Sequence, residues 1–208
     1  MRVRLSLVRN IINRYIHKMN LPKYPSARKL NISDDHFGVS VLDQYRWLED
    51  PDSEETKAFV NEQNKISQPF LENCSEWNEI NTKLTQLWNY PKEGCPSKHG
   101  NYYYFSKNTG LQNQSVLYRL ESLKNEPEVF FDPNELSKEG TVALSQYSFS
   151  DNGQFMAYGL SESGSDWITI KVRDVKTKND YPEVLDKIKF SDISWTKDNK
   201  GFFYSVSI

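Results

Sequence analysis

A mixed fold, helical in its first part and built from short antiparallel sheets afterwards, is what this 208-residue sequence predicts. Three observations carry that expectation. Apolar residues change their spacing from about 3.6 to about 2 positions near Pro91. From there to the end, turn signals separate short apolar runs, and no helical pattern intervenes. Finally SFSDNGQFMAY (148–158) is echoed without gaps, 46 positions later, by SWTKDNKGFFY (194–204).

The elements follow in order. Residues 1–33 carry five arginines and three lysines with no acid, so the remaining 175 must hold −10 to give the chain total of −2. Leu5, Val8, Ile12, Tyr15 and Ile16 recur at helical spacing among those cations. This Arg-rich, acid-free pattern resembles a mitochondrial targeting segment. Residues 1–23 are read as a basic leader, and Met19 offers an alternative start.

Residues 24–89 form the helical part. Pro51 pushes Asp50 towards extended geometry, and Asp52 with Glu55 is placed to form a capping box. Phe59, Gln63, Ile66 and Phe70 then make one stripe; Trp77, Ile80, Leu84 and Leu87 make another. Burying those seven apolar side chains would contribute on the order of 10–20 kcal/mol gross. Two helices cannot cover both stripes, so the following domain, or polypeptide outside this chain, must.

In residues 90–208, strands are expected at 101–106, 115–120, 128–132, 145–150, 154–161, 167–172 and 201–206. HGNYYYF (99–105) is a weaker third copy of the repeated stretch. The glycines fall out of step, because Gly201 lies two positions later than Gly153 requires. A period of about 40–50 residues made of short strands marks a β-propeller; a plain sandwich of similar hairpins is the alternative. Lys92 to Ile208 leaves room for about two and a half such units, while a propeller closes with typically four to eight. The expectation is a partial propeller within something larger.

Composition excludes several functions. No apolar run approaches the roughly 18–20 residues of a membrane span, and a net charge of −2 gives no general attraction to nucleic acid. Cys74 and Cys95 are too few for a disulfide framework or metal cage and suit a reducing compartment. His17, His36 and His99 lack metal-ligand spacing, and no cofactor or metal is called for. The serines of SESGSDW (161–167) invite a nucleophile reading, but Ser161, Ser163 and Ser165 all fail the G-x-S-x-G pattern. They also lead into a strand, with no histidine after His99. A hairpin loop is expected, and no catalytic residue.

Several stretches together resemble the prolyl oligopeptidase family: WLEDPDSEETKAFV (47–60), YPK (90–92), NTGLQNQSVLY (108–118), DPN (132–134), GTVAL (140–144), YGLSESGSDWITIK (158–171) and KFS (189–191). The sequence departs from the family pattern in its leader, at Trp88-Asn89, where tyrosine and aspartate are usual, and in where it stops. The resemblance implies that the helical segment belongs to an α/β-hydrolase peptidase domain and that the strands are the first two to three blades of a seven-bladed propeller restricting entry to short peptides. Cleavage would follow proline, by a serine triad located C-terminal to these residues. By the same resemblance, Asp166, beside Trp167, reaches an arginine of the peptidase domain that binds the substrate backbone, and Phe190 is an apolar wall of the peptide pocket. The implied partners are short proline-containing peptides and the C-terminal peptidase domain, in a monomer bound to neither nucleic acid nor membrane. The location is cytoplasmic, or mitochondrial if the leader is a targeting segment. A rival reading is a short, non-catalytic binding or decoy module.

Overall fold

The computed structural model describes residues 22–207; the leader expected at 1–23 lies almost wholly outside them. The chain divides into two compact units between Thr82 and Lys83.

In the first unit, β1 (Ser33–His36) and β2 (Val39–Leu42) pair antiparallel through a two-residue turn. Phe37 and Gly38 both hold positive φ, 56° and 88°, the geometry that suits the twist of a tight hairpin. Nothing in the alternation announced this hairpin, because its first strand, SDDH, is polar. A 3-10 turn, Arg46–Glu49, precedes α1 (Glu54–Glu72). The helix is capped one residue later than expected. Ser53, not Asp52, accepts the Thr56 N–H at 3.2 Å, and Glu55 turns away to a bidentate pair with Arg28, both bonds 2.7 Å. Thr56 donates to the Trp47 carbonyl at 3.1 Å, and Trp47 packs edge-on against Phe59 at 5.5 Å. The first turn of α1 is thereby fixed to the 3-10 turn. Helix α2 runs Trp77–Trp88. Its stripe is formed as the spacing predicts, yet it is not buried: Leu84 keeps 61% of its surface and Leu87 62%.

The second unit takes in the last turns of α2 and then a sheet in which β5 (Tyr102–Asn108), β6 (Val116–Leu120) and β7 (Glu128–Phe131) run as a meander. The lane on the far side of β5 is shared by β3 (Lys92–Glu93) and β4 (Ser97–His99). Pro96, which has no N–H to give a ladder, falls in the gap between them. A second sheet is a four-stranded antiparallel meander of β8 (Val142–Phe149), β9 (Phe155–Glu162), β10 (Trp167–Asp174) and β11 (Leu185–Lys189). A final hairpin pairs β12 (Ser194–Trp195) with β13 (Phe202–Phe203).

The 46-residue echo is a repeat of hydrogen bonds as well as of letters. In the β8–β9 turn, Ser150 Oγ accepts from Phe155 N–H, and Asn152 Oδ1 accepts from Gln154 N–H. In the β12–β13 turn, Thr196 Oγ1 and Asp198 Oδ1 accept from Gly201 and Lys200 in the same way. The left-handed corner falls at Gly153 (φ 67°) and Asn199 (φ 58°), which stand 46 apart. The apparent glycine mismatch dissolves: asparagine, which tolerates this conformation, fills the corner, and Gly201 does not.

The two sheets share one core, in which Tyr104, Leu117, Phe130 and Phe131 from the first meet Phe149, Met156 and Tyr158 from the second. A smaller cluster of Ile168, Ile170 and Ile188 receives Phe202 from the last hairpin. Charged side chains stitch the first interface together. Arg119 bridges Glu128 and the Val175 carbonyl, Lys178 also reaches Glu128, and Arg173 pairs with Asp180 while donating to the Phe130 carbonyl.

This interface should weaken in acid. Arg119 first, then Lys178, hold the Glu128 carboxyl below its ordinary 4.5. Burial lifts Asp180, but hydrogen bonds from Arg173 and Tyr158 outweigh it, and the net pKa lies below 3.8. Burial depresses His99, which stacks on Phe149 at 4.5 Å, below 6.5. All three groups bind protons more readily when unfolded. Their contributions are therefore complete above the ordinary values and are lost as pH falls through the lowered ones. Denaturation midpoints should begin to decline below about pH 6.5. In His99→Phe the decline should begin only near the carboxylate range, and an unchanged profile in that variant would exclude the histidine.

Candidate functional site

One end of the second sheet gathers the residues singled out in the sequence. The β9–β10 connection is a tight hairpin: Ser163 holds φ 50°, its N–H bonds to the Thr141 carbonyl, and Ser165 N–H bonds to Glu162. Ser165 Oγ then accepts the Trp167 N–H at 3.1 Å, which caps the start of β10. Ser163 and Ser165 shape the turn, whereas Ser161 lies within β9, opposite Ile168 of β10. The expected hairpin loop holds for Ser163 and Ser165 but not for Ser161, which the β8–β9–β10 ladder takes into the sheet.

Asp166 immediately precedes β10, Trp167 opens it, and Lys189 closes β11; Trp167 and Lys189 stand directly opposite in the ladder. That pairing brings Phe190, the residue after β11, to the same end of the sheet. Lys189 Nζ lies 3.4 Å from an Asp166 oxygen, 5.6 Å from the Trp167 ring centre and 5.0 Å from that of Phe190. Asp166, Trp167 and Phe190 are thus gathered about one ammonium group. All three remain open: Phe190 exposes 83% of its surface and Trp167 50%. The Asp166 carboxylate is also mostly exposed. An exposed ion pair of that length contributes little to stability. Its carboxylate is available to a better-placed cation.

Beside these residues is a cleft of 290 Å³, lined by Gln146, Ser165, Asp166, Phe190, Ser191 and Asp192 among others. Gly159 on β9 makes room behind it. A Cβ there would come within 3.1 Å of both Gln146 and Ile168. Chemically, this end of the sheet offers carboxylate acceptors and two flat apolar surfaces, which suits holding a peptide or a guanidinium. It has no activated nucleophile. Among the described residues no group of His, Cys, Asp and Glu is arranged to hold a metal ion, and no helix is long and apolar enough to cross a membrane. Cys74 and Cys95 are exposed free thiols.

Sequence reasoning missed Lys189 and Ser191 as part of this site. The signal was present only as KFS (189–191); the β11 pairing that gives these residues their position was not legible.

The comparisons with known proteins agree with one another. Residues 24–207 match the model of the prolyl oligopeptidase N-terminal β-propeller domain. The chain is 46% identical over 186 residues to the prolyl endopeptidase of Elizabethkingia meningoseptica, covering 89% of this chain and 26% of that protein. It is 39% identical to prolyl oligopeptidase A of Galerina marginata, over 87% of this chain and 28% of the other. Among solved structures, one described as an analysis of two prolyl endopeptidases superposes with a TM-score of 0.73 at 27% identity, over 88% of this chain and 27% of that one. Prolyl oligopeptidase B of Galerina marginata, bound to a 35-residue hydrolysis and macrocyclization substrate, gives 0.68 at 33% identity, over 88% of this chain and 29% of that one. The chain therefore spans about a quarter of the length of the relatives it matches. With a family model matched from residue 24 to residue 207 and sheets that superpose on solved members, this chain belongs to the prolyl oligopeptidase family, as an N-terminal portion carrying its β-propeller domain.

Proposed function

We propose that this chain is the substrate-admitting part of a serine endopeptidase that hydrolyses short peptides on the carboxyl side of proline. Residues 24–89 belong with an α/β-hydrolase domain, and residues 90–208 supply the first two blades and the opening hairpin of a seven-bladed propeller; residues 1–23 are a leader. The enzyme works as a cytoplasmic monomer, or in mitochondria if the leader directs it there. The catalytic serine, aspartate and histidine stand outside this chain, which is inactive by itself.

The observation that carries this reading is the open end of the second sheet. Asp166 is exposed and only loosely paired, which suits a carboxylate that holds a guanidinium of the peptidase domain across a seam through a strong, charge-assisted bond. Trp167 and Phe190 offer wide, rigid contact area to a peptide. The uncovered stripe of α2 supports a further domain against it. So does an apolar groove of 510 Å³ bordered by Phe155, Ile170, Trp195 and Phe202.

The test is turnover of a chromogenic post-proline peptide. The complete polypeptide that carries this chain should cleave it and be stopped by a serine-directed inhibitor. The 208-residue chain alone should not. Inhibitor-sensitive turnover by the chain alone would overturn the assignment of catalysis elsewhere, and none by the complete polypeptide would overturn the activity.

A further inference from the structure

Phe190 presents a problem of rigidity. With 83% of its surface exposed, little packing holds its ring, yet its backbone holds φ 53°, a conformation an aromatic residue adopts only when its surroundings impose it. The constraint comes from the next residue. Ser191 is buried, with 7% exposure. Its Oγ accepts the Ser205 N–H at 2.7 Å and donates to the Asp192 carbonyl at 3.0 Å. The first bond anchors the bend to the segment after β13; the second sets the direction in which the chain leaves it. A further tether, from Ser207 N–H to the Lys187 carbonyl at 2.9 Å, secures the other side, where Lys187 also holds positive φ, 56°.

We propose that Ser191 is a positioning residue: its buried hydroxyl locks the bend and holds the Phe190 ring at the lip of the cleft, ready for a large apolar side chain of the peptide. The inference rests on reading Phe190 as a peptide contact. A hydroxyl that both accepts and donates inside the protein cannot be exchanged for a methyl group without freeing the bend. Freedom there costs binding alone, because the reacting bond lies elsewhere.

The experiment uses the complete polypeptide and two peptides, one with a bulky apolar residue ahead of proline and one with glycine there. Ser191→Ala should raise KM for the bulky peptide about fivefold to tenfold and leave kcat within about twofold, the pattern of a lost ground-state contact. The glycine peptide should be unaffected. Phe190→Ala should cause the same selective loss, and adding Ser191→Ala to it should change KM by less than about twofold, since the two act through one ring. Ser191→Thr, which keeps the hydroxyl, should restore most of the loss. If the alanine variant does not fold, Ser191→Cys keeps the volume with far weaker bonds and gives the same comparison. Equal effects on both peptides, or full additivity with Phe190→Ala, would overturn the role of Ser191 while leaving the peptidase reading intact. Failure of the unmodified polypeptide to cleave after proline would overturn both.

Discussion

Replacing Gly153 with alanine should destabilise the protein by about 3 kcal/mol, the sum of roughly 1–2 for a left-handed alanine and 1–3 for an overpacked contact. A Cβ on Gly153 would stand 2.5 Å from the Gly100 Cα and 2.7 Å from its nitrogen. Both obstacles are backbone atoms, so no side chain can swing aside. Gly100 is itself a left-handed turn residue, at φ 57°, and closes the β4–β5 hairpin. Two turns from neighbouring sheets thus meet with only hydrogen between them. The corresponding corner in the next repeat behaves differently. Asn199 holds the same backbone conformation, but its side chain reaches across to accept the Asn152 N–H at 3.1 Å. Asn199→Gly exchanges that exposed bond for relief of strain and should stay within about 0.5 kcal/mol of the parent. In a thermal melt the first variant should lose roughly 10 °C and the second almost nothing. A Gly153→Ala protein that melts with the parent would mean that the two turns do not approach so closely.

That contrast also marks how far the sequence could be read. Strands β5 to β10 were visible because their side chains alternate and their ends carry turn residues. Strand β11 was not. LDKIK buries only Ile188, and a left-handed Lys187 breaks its register with β10 between Ile168 and Ile170. Strands β3 and β4 escaped because one lane is divided around Pro96. The repeat was found, but its glycine register looked faulty, since letters do not reveal which residue must hold positive φ. The site suffered from the same gap. Asp166 and Trp167 adjoin in the chain, whereas Phe190 reaches them only through the Trp167–Lys189 pairing, so family resemblance named all three while their pattern alone could not join them. The helix stripes were legible as stripes; what covers them could not be read from this chain.

Arg119→Ala should cost about 3–4 kcal/mol and loosen the first two sheets from each other. The guanidinium lies almost wholly inside the protein, with 7% of the side chain exposed. It sits 4.4 Å from the Tyr102 ring centre and 5.2 Å from that of Phe130, and bonds to the Val175 carbonyl across the interface. A desolvated cation over an aromatic face is worth about 2 kcal/mol, and a buried carbonyl left without a donor costs roughly 1–3. The ion pair with Glu128 contributes less than its 2.6 Å length suggests. Glu128 is 53% exposed and keeps Lys178 at 3.0 Å when Arg119 is lost. Glu128→Gln should therefore cost under about 1 kcal/mol. Arg119→Met, which retains the apolar stem between the rings, should recover part of the alanine loss. Urea midpoints for the three variants separate the explanations. If the charge pair held the sheets together, Glu128→Gln would fall as far as Arg119→Ala. If packing and the carbonyl bond do, the glutamine variant stays near the parent and the methionine variant lies between.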